Sequence, residues 1–164
     1  MKKFISFLIS ITVVATISCN SNTTSATSTA PIETGGKDKT VSFTIDGTTF
    51  KGKVSTQYFG SNKETDNFSV VCQQDEPLVL LQATFANEKD AASSGLTPKG
   101  FDGYKVNTGQ FDLTLTPAGG GESFVATSKT TGAIKIENNK IVISNMRLFN
   151  REGKEKVVNG TIGF

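Results

Sequence analysis

Apolar and polar residues alternate along most of the chain after residue 40, with the two-residue period of β-strands. Val41 to Ile45 places an apolar side chain at every second position. Asp46-Gly47 follows, and this pair is preferred in the two-residue loop of a tight hairpin. Pairing across that loop sets Phe43 opposite Phe50 on the apolar face, so the pattern predicts a β-hairpin whose two aromatic rings pack together.

A second hairpin is predicted between Ile134 and Ile143. Its loop is Asn138-Asn139, and the flanking alternation sets Ile136 opposite Ile141. After Ile143 the alternation slips by one position, because the next apolar residues are Met146 and Leu148. A slip of one residue within a strand indicates a β-bulge, here near residues 144 and 145.

Further strands are predicted from the same alternation, with turn residues between them. We expect one short helix at most, around Glu88 to Ser93. The fold class is therefore all-β: a single antiparallel β-sandwich or closed meander barrel of about 8–10 strands, since both bury one face of every strand. The further strands are Phe68 to Gln73, Leu78 to Phe85, Gln110 to Thr116, Ser123 to Thr127 and Val157 to Phe164.

The first eighteen residues have the parts of a secretory signal: Lys2 and Lys3, an apolar stretch from Phe4 to Ile17, and a small residue before Cys19. The apolar stretch is short for a bilayer-spanning helix, which needs about 20 residues. The residues before Cys19 resemble a lipobox, in which aliphatic and small residues precede a cysteine that becomes lipidated. We therefore expect residues 1–18 to be a lipoprotein signal peptide and Cys19 to be the lipidation site.

Residues 19–39 are predicted to form the lipid anchor and a flexible tether, because Ser, Thr and Asn dominate the stretch and few apolar residues are present. A random coil of this length spans about 25 Å, enough to hold a domain just above a lipid surface. Residues 40–164 then form one antiparallel β domain of ordinary size.

Charge argues against two classes of partner. Removal of Lys2 and Lys3 with the signal leaves 15 basic residues (17 − 2) against 15 acidic ones, so the mature chain is formally neutral. Nucleic-acid binding requires clustered Lys and Arg, and so does an electrostatic membrane patch. We expect no nucleic-acid partner, and membrane contact through the lipid on Cys19; the oligomeric state is left open.

The available side chains restrict the possible chemistry. The chain has no His, which excludes Ser–His and Cys–His pairs, and lipidation of Cys19 leaves Cys72 alone and predicted to be a buried thiol. No catalytic residue, metal site or cofactor is predicted. The nearest carboxylate pairs are Asp75 with Glu76, which a hairpin tip explains, and Asp102 with Asp112, which nothing in the sequence brings together.

The longest stretch without alternation runs from Asn87 to Asn107. Its apolar residues Leu96, Phe101 and Tyr104 are candidates for contact with a ligand or partner, because apolar residues in long loops often serve binding. The alternative is that they fold under the loop and close one end of the domain.

Four strand-and-turn motifs resemble those of the small, β-rich, uncharacterised lipoproteins of the Bacteroidetes phylum. They are F-x-x-D-G-x-x-F from Phe43 to Phe50, G-x-F-x-L from Gly109 to Leu113, G-x-I-x-I from Gly132 to Ile136, and V-x-G-x-I-x-F from Val158 to Phe164. The resemblance implies fold and habitat, and it carries no functional residues. Exported lipoproteins of that phylum tend to carry acidic residues just after the lipidated cysteine. Since the first acidic residue here is Glu33, we expect the domain to face the periplasm.

The predicted function is an outer-membrane-anchored periplasmic lipoprotein with a non-enzymatic β domain that binds or scaffolds a protein, a glycan or a small apolar ligand. Two alternatives remain at this point. One is a carboxylate-dependent enzyme acting on envelope glycans, and the other is a small outer-membrane β-barrel, suggested by the final strand ending at Phe164.

Overall fold

A computed structural model describes residues 40–60, 62 and 66–164 of the protein. Cys19, with the predicted signal and tether, lies outside these residues. Ten strands and one turn of 3-10 helix, Asp90–Ala92, make up the described part. The strands are β1 Thr40–Ile45, β2 Thr48–Tyr58, β3 Phe68–Gln74, β4 Val79–Phe85, β5 Thr97–Pro98, β6 Gln110–Thr116, β7 Phe124–Val125, β8 Ala133–Glu137, β9 Lys140–Phe149 and β10 Glu155–Gly163.

Eight of these strands close into an antiparallel barrel. The order runs β1, β2, β3, β4, β6, β7, β9 and β10, and β10 pairs with β1 again. Of the two arrangements that the sequence left open, the barrel is therefore the correct one. Because the sheet closes, each of these eight strands is paired with a neighbouring strand on both sides, and no strand of the barrel forms a free sheet edge.

Both predicted hairpins are confirmed in loop and in register. Phe43 pairs with Phe50, and their ring centroids lie 5.8 Å apart. In the second hairpin, Ile136 pairs with Ile141. All four loop residues have positive φ, with Asp46 at 50° and Gly47 at 82° in the first loop and 49° and 56° at residues 138 and 139 in the second. These angles are those of the type I′ loops that suit the twist of paired strands.

The predicted bulge in β9 is also confirmed. Met146 pairs with Val158 and Ile143 with Gly160, so two residues of β9 stand opposite one residue of β10. Asn145 has φ of 48° at this point. The extra residue keeps Ile143 and Met146 both inside the barrel, which explains the slip in the alternation.

The barrel wall is irregular beside the first half of β6. There β5 runs parallel to β6, and β8 pairs with the first half of β9. The 3-10 turn contacts β8 across this region, and Ala91 of that turn belongs to the core. The helix predicted from Glu88 to Ser93 is thus a single 3-10 turn that helps to close one end of the barrel.

The barrel interior is filled by apolar side chains, as expected for eight strands, whose lumen is just wide enough for side chains. The outer face carries mostly polar residues, such as Lys51 and Lys53 on β2 and Asp112 and Thr114 on β6. No helix within the described residues has the length and apolar character needed to cross a bilayer. The largest fully buried side chains include Phe43, Phe68, Phe85, Leu81, Leu113, Leu115, Ile141, Met146, Leu148 and Ile162.

Candidate functional site

A row of polar side chains crosses three neighbouring strands on the outer face of the barrel. Ser69 of β3 pairs with Thr84 of β4, and Thr84 pairs with Asp112 of β6. Each of the three alternates with core residues, so its side chain lies on the face away from the core. Ser69 and Thr84 are nevertheless buried, and their hydroxyl oxygens lie 2.6 Å apart.

Gln82 lies two residues before Thr84 on β4, on the same outer face, and forms hydrogen bonds to this row. Its Nε2 donates to the Thr84 hydroxyl at 3.1 Å and to the Ser69 hydroxyl at 3.3 Å. Both donated bonds use the amide nitrogen of Gln82, so its Oε1 is left to accept from another group. The side-chain amide of Gln82 therefore has a fixed orientation on the outer face of the barrel.

Asp112 is the most unusual group of the row. Its Oδ2 accepts a hydrogen bond from the Thr114 hydroxyl at 3.2 Å, whereas its Oδ1 is shielded from solvent and has no partner among the described residues. Burial raises the pKa of Asp112 above its ordinary value, although the positive charge of Lys99 and the Thr114 hydrogen bond act in the opposite direction. An unpaired buried carboxylate oxygen costs stability, so this position is strained electrostatically.

Asn67 fixes the segment that runs past this row. Its Nδ2 donates to the carbonyl oxygens of Val106 and Ala86 at 2.8 and 3.1 Å, and its Oδ1 accepts from the Val106 N–H at 2.9 Å. Asn67 and Val106 are both buried. One side chain thus joins the start of β3, the end of β4 and the segment before β6.

These elements enclose a pocket on the outer wall, which we call the wall pocket, with a volume of about 580 Å³. Its floor is formed by β4 and β6, and its sides are formed by the segments before β3 and before β6. The size lies within the range of small-molecule sites. The lining residues are Phe59, Asp66, Asn67, Gln82, Thr84, Tyr104, Lys105 and Asp112.

Two aromatic rings stand exposed at the wall pocket. Tyr104 is 103% exposed and Phe59 is 54% exposed, and both line the cavity. Two exposed aromatic rings at one cavity provide apolar surface for a ligand, since apolar patches rimmed by polar residues mark binding sites. The predicted contact residue Tyr104 therefore lies at a cavity.

The other two predicted contact residues lie elsewhere. Leu96 is half-buried and packs against the core, as in the alternative that the loop closes one end of the barrel. Phe101 is exposed, and the Arg151 guanidinium lies 5.4 Å from its ring centroid. Neither side chain lines the wall pocket, so the structure does not bring the three residues into one site.

No protein-family model, no curated protein and no solved structure matches this chain. Across residues 40–60, 62 and 66–164, no group of three or more His, Cys, Asp or Glu side chains is arranged to hold a metal ion. The pocket offers hydrogen-bonding groups, two carboxylates, one ammonium group and two aromatic rings.

The two carboxylate pairs named in the sequence analysis do not form a common site in the structure. Asp75 and Glu76 are exposed on the β3–β4 turn, as expected for a hairpin tip. Asp102 is exposed and does not line the wall pocket, so the pairing of Asp102 with Asp112 gains no support. The carboxylate that shares the cavity with Asp112 is Asp66, whose Oδ2 accepts from the Asn62 N–H at 2.7 Å.

Cys72 is a buried residue of the barrel core, as predicted, with no exposed surface. Burial raises the pKa of its thiol to about 11. A thiol with so high a pKa holds little thiolate near neutral pH. Cys72 therefore packs as a small apolar side chain.

A second cavity of about 330 Å³ lies at the end of the barrel, between the 3-10 turn and the β8–β9 loop. Glu88 lines it, and Oε2 of Glu88 accepts from the Tyr58 hydroxyl at 2.5 Å. This hydrogen bond joins β2 to the segment before the 3-10 turn. The cavity thus lies where the 3-10 turn closes this end of the barrel.

Proposed function

We propose that this chain is a lipoprotein anchored to the outer membrane through Cys19, facing the periplasm, and that its barrel binds a ligand in the wall pocket without transforming it. The observation that carries the binding role is the wall pocket itself. Its floor lies on barrel strands, which hold side chains more accurately than loops do. The hydrogen bonds of Asn67 and Gln82 orient its walls.

The anchor is supported by the sequence before the barrel. A basic start, a short apolar stretch and a small residue precede Cys19, and a stretch rich in Ser, Thr and Asn follows it. The polar outer face of the barrel supports a water-exposed domain, because barrels that span a membrane carry an apolar band on that face. The resemblance to Bacteroidetes lipoproteins supports the outer-membrane location.

The anchor is tested by replacing each cysteine in turn. Cells that express the full chain are fed an alkyne-bearing fatty acid, and the protein is examined for label and for membrane association. We expect Cys19→Ala to lose both. Cys72→Ala is the matched control, because Cys72 is buried in the barrel, and it should keep both. Label that persists in Cys19→Ala would contradict the anchor.

The binding role is tested with the small-molecule fraction of an envelope extract. Titration into isotope-labelled full chain is expected to shift the amide resonances of Gln82, Thr84 and Lys105. Tyr104→Ala should weaken these changes, whereas Leu78→Ala, which removes a side chain that is 55% exposed on the β3–β4 turn, should not. Shifts spread evenly over the barrel, or none at all, would contradict the proposal.

A second candidate, a carboxylate-dependent glycan hydrolase, is favoured by one observation: Asp66 and Asp112 line the same pocket. Burial raises the pKa of Asp112, as a general acid requires. Against it, the shielded Oδ1 of Asp112 does not reach solvent, and Asp66 is already bonded to the Asn62 backbone. Release of reducing ends from envelope glycans, lost in Asp112→Asn, would establish this candidate instead.

A further inference from the structure

We infer that the ligand of the wall pocket is a neutral saccharide whose ring lies against Tyr104. The inference rests on the proposed binding role and names the chemical class that the pocket fits. It follows from the aromatic rim, from the balance of charge and from the hydrogen-bonding groups of the floor.

The aromatic rim provides flat apolar faces at the cavity. Four large apolar side chains are exposed among the described residues, and two of them, Phe59 and Tyr104, line this one pocket. The face of an aromatic ring carries partial negative charge. The C–H groups on one face of a sugar ring carry partial positive charge, so a sugar ring stacks on such a surface. An anionic group is repelled by such a face.

The charges around the pocket nearly cancel. Asp66 and Asp112 line it together with Lys105, and Lys99 also acts on Asp112. The Lys99 ammonium is held in place, because it donates to the carbonyl oxygens of Asp102 and Gly103 at 3.0 and 2.8 Å. Because Oδ1 of Asp112 is shielded from solvent and Lys99 does not line the pocket, an anionic ligand would meet the Asp66 carboxylate and a cationic one would meet the Lys105 ammonium group. A neutral ligand meets neither penalty.

The floor and sides offer both kinds of hydrogen-bonding group. Gln82 has Oε1 left to accept, the Asp66 carboxylate can accept beside its bond from the Asn62 N–H, and Lys105 donates. A sugar hydroxyl donates one hydrogen bond and accepts others, so neighbouring hydroxyls can satisfy such a mixture. The cavity volume of about 580 Å³ accommodates one or two sugar rings.

The test uses the full chain in a detergent without a sugar headgroup, since glycoside detergents would compete. An array of neutral oligosaccharides identifies a binder, which is then titrated by calorimetry up to about 10 mM, enough to nearly fill a site with a Kd near 1 mM. We expect saturable binding. Tyr104→Ala should weaken it by about tenfold, which is the range of a lost aromatic stacking contact. Tyr104→Phe keeps the ring and should stay within about twofold, as should the distant surface control Leu78→Ala.

The same titration with glucosamine and glucuronate separates the inference from the proposed function. If a charged sugar binds with Tyr104 dependence and no neutral saccharide does, the neutral class is wrong and the binding role stands. If nothing on the array or in the envelope fraction binds with Tyr104 dependence, both are wrong. Saccharide binding that Tyr104→Ala leaves unchanged would also overturn the inference, because the ring would not be the contact.

Discussion

The side-chain amide of Asn67 pairs with the backbone of Val106 much as one strand residue pairs with another. Asn67 Oδ1 accepts from the Val106 N–H at 2.9 Å, and its Nδ2 donates to the Val106 carbonyl at 2.8 Å. The same nitrogen donates to the Ala86 carbonyl at 3.1 Å. The segment that carries Tyr104 is thereby attached to the barrel wall through one buried side chain.

Asn67→Asp should detach that segment. The carboxylate keeps an acceptor for the Val106 N–H but removes the donor, which leaves two buried carbonyl oxygens unpaired and adds a buried charge. We expect a loss of about 2–4 kcal/mol in the free energy of unfolding, measured with urea. Amide exchange at Val106 should also accelerate.

The matched control is Asn107→Asp. Asn107 is exposed, and its Nδ2 donates to the Gln110 side chain at 3.3 Å. The same chemical change there should cost less than about 0.5 kcal/mol. If the two variants lose equal stability, Asn67 does not have the role described above.

Gly52 and Cys72 form a tight contact inside the barrel. A methyl group at Gly52 would come 2.5 Å from the Cys72 sulfur and 3.0 Å from the backbone of Gln73. We expect Gly52→Ala to lower the free energy of unfolding by about 1–3 kcal/mol, as overpacking does. Adding Cys72→Ala should recover part of that loss and give a coupling energy of about 1 kcal/mol in a double-mutant cycle.

Gly163→Ala is the control, because it makes the same glycine-to-alanine change in a strand without a close contact. Its added methyl group would lie 3.9 Å from the Lys140 side chain, which is ordinary contact. The cost there should stay within about 0.5 kcal/mol. A double mutant that loses the full sum of both single changes would contradict the contact between Gly52 and Cys72.

Local patterns predicted the strands and loops of this barrel, because each depends on a few adjacent residues. Asp46-Gly47 and Asn138-Asn139 fix their hairpins through backbone angles that those residue types tolerate. The closure of β10 on β1 could not be predicted in this way. A sandwich and a barrel bury the same face of each strand, so the alternation does not distinguish them.

The wall pocket was predicted only in part. Tyr104 was singled out as an apolar residue in a long loop, and it lies at the cavity. Asn67 and Gln82 are not predicted as site residues, since polar residues in a loop before a strand or at an outward strand position normally face water. The bonds of Asn67 to Val106 span 39 residues, and no pattern in the sequence joins such distant segments. Leu96 packs against the core and does not line the cavity.

Asp46 couples the first hairpin loop to β10. Its carboxylate accepts from Lys156 Nζ at 2.6 Å and from the Val157 N–H at 2.8 Å. Burial raises the pKa of Asp46, but the two hydrogen bonds and the Lys156 charge outweigh it, so the pKa lies below its ordinary value of 3.8. The stability from this carboxylate is therefore present above pH 3.8 and lost as the pH falls through the lowered value.

Asp46→Asn should cost about 0.5 kcal/mol at pH 7, because the ion pair is partly exposed and screened. Asn tolerates the positive φ of the loop, so this variant isolates the charge. Asp46→Ala should cost more, about 1–2 kcal/mol, since alanine also strains the loop. Urea unfolding of both variants at pH 7 checks this order, and equal losses would contradict it.

Asp112 has the opposite dependence on pH. Burial raises its pKa, and the charge of Lys99 and the Thr114 hydroxyl only partly counter this. The folded chain therefore holds a proton at pH values where the unfolded chain has released it. The free energy of unfolding accordingly falls as the pH rises from 3.8 to the raised value, and the loss persists at neutral pH.

Asp112→Asn should remove this loss, because the amide carries no charge into the wall. We expect the stability of the variant relative to the natural chain to be higher at pH 7 than at about pH 3 by about 1 kcal/mol, because the amide does not ionise. The amide leaves one buried polar atom unpaired in place of Oδ1, so the variant should not exceed the natural chain at about pH 3. Urea unfolding at several pH values measures both. Asp75→Asn removes one carboxylate from the exposed β3–β4 turn and controls for net charge. If Asp112→Asn gains nothing relative to the natural chain between about pH 3 and pH 7, burial does not raise the pKa of Asp112.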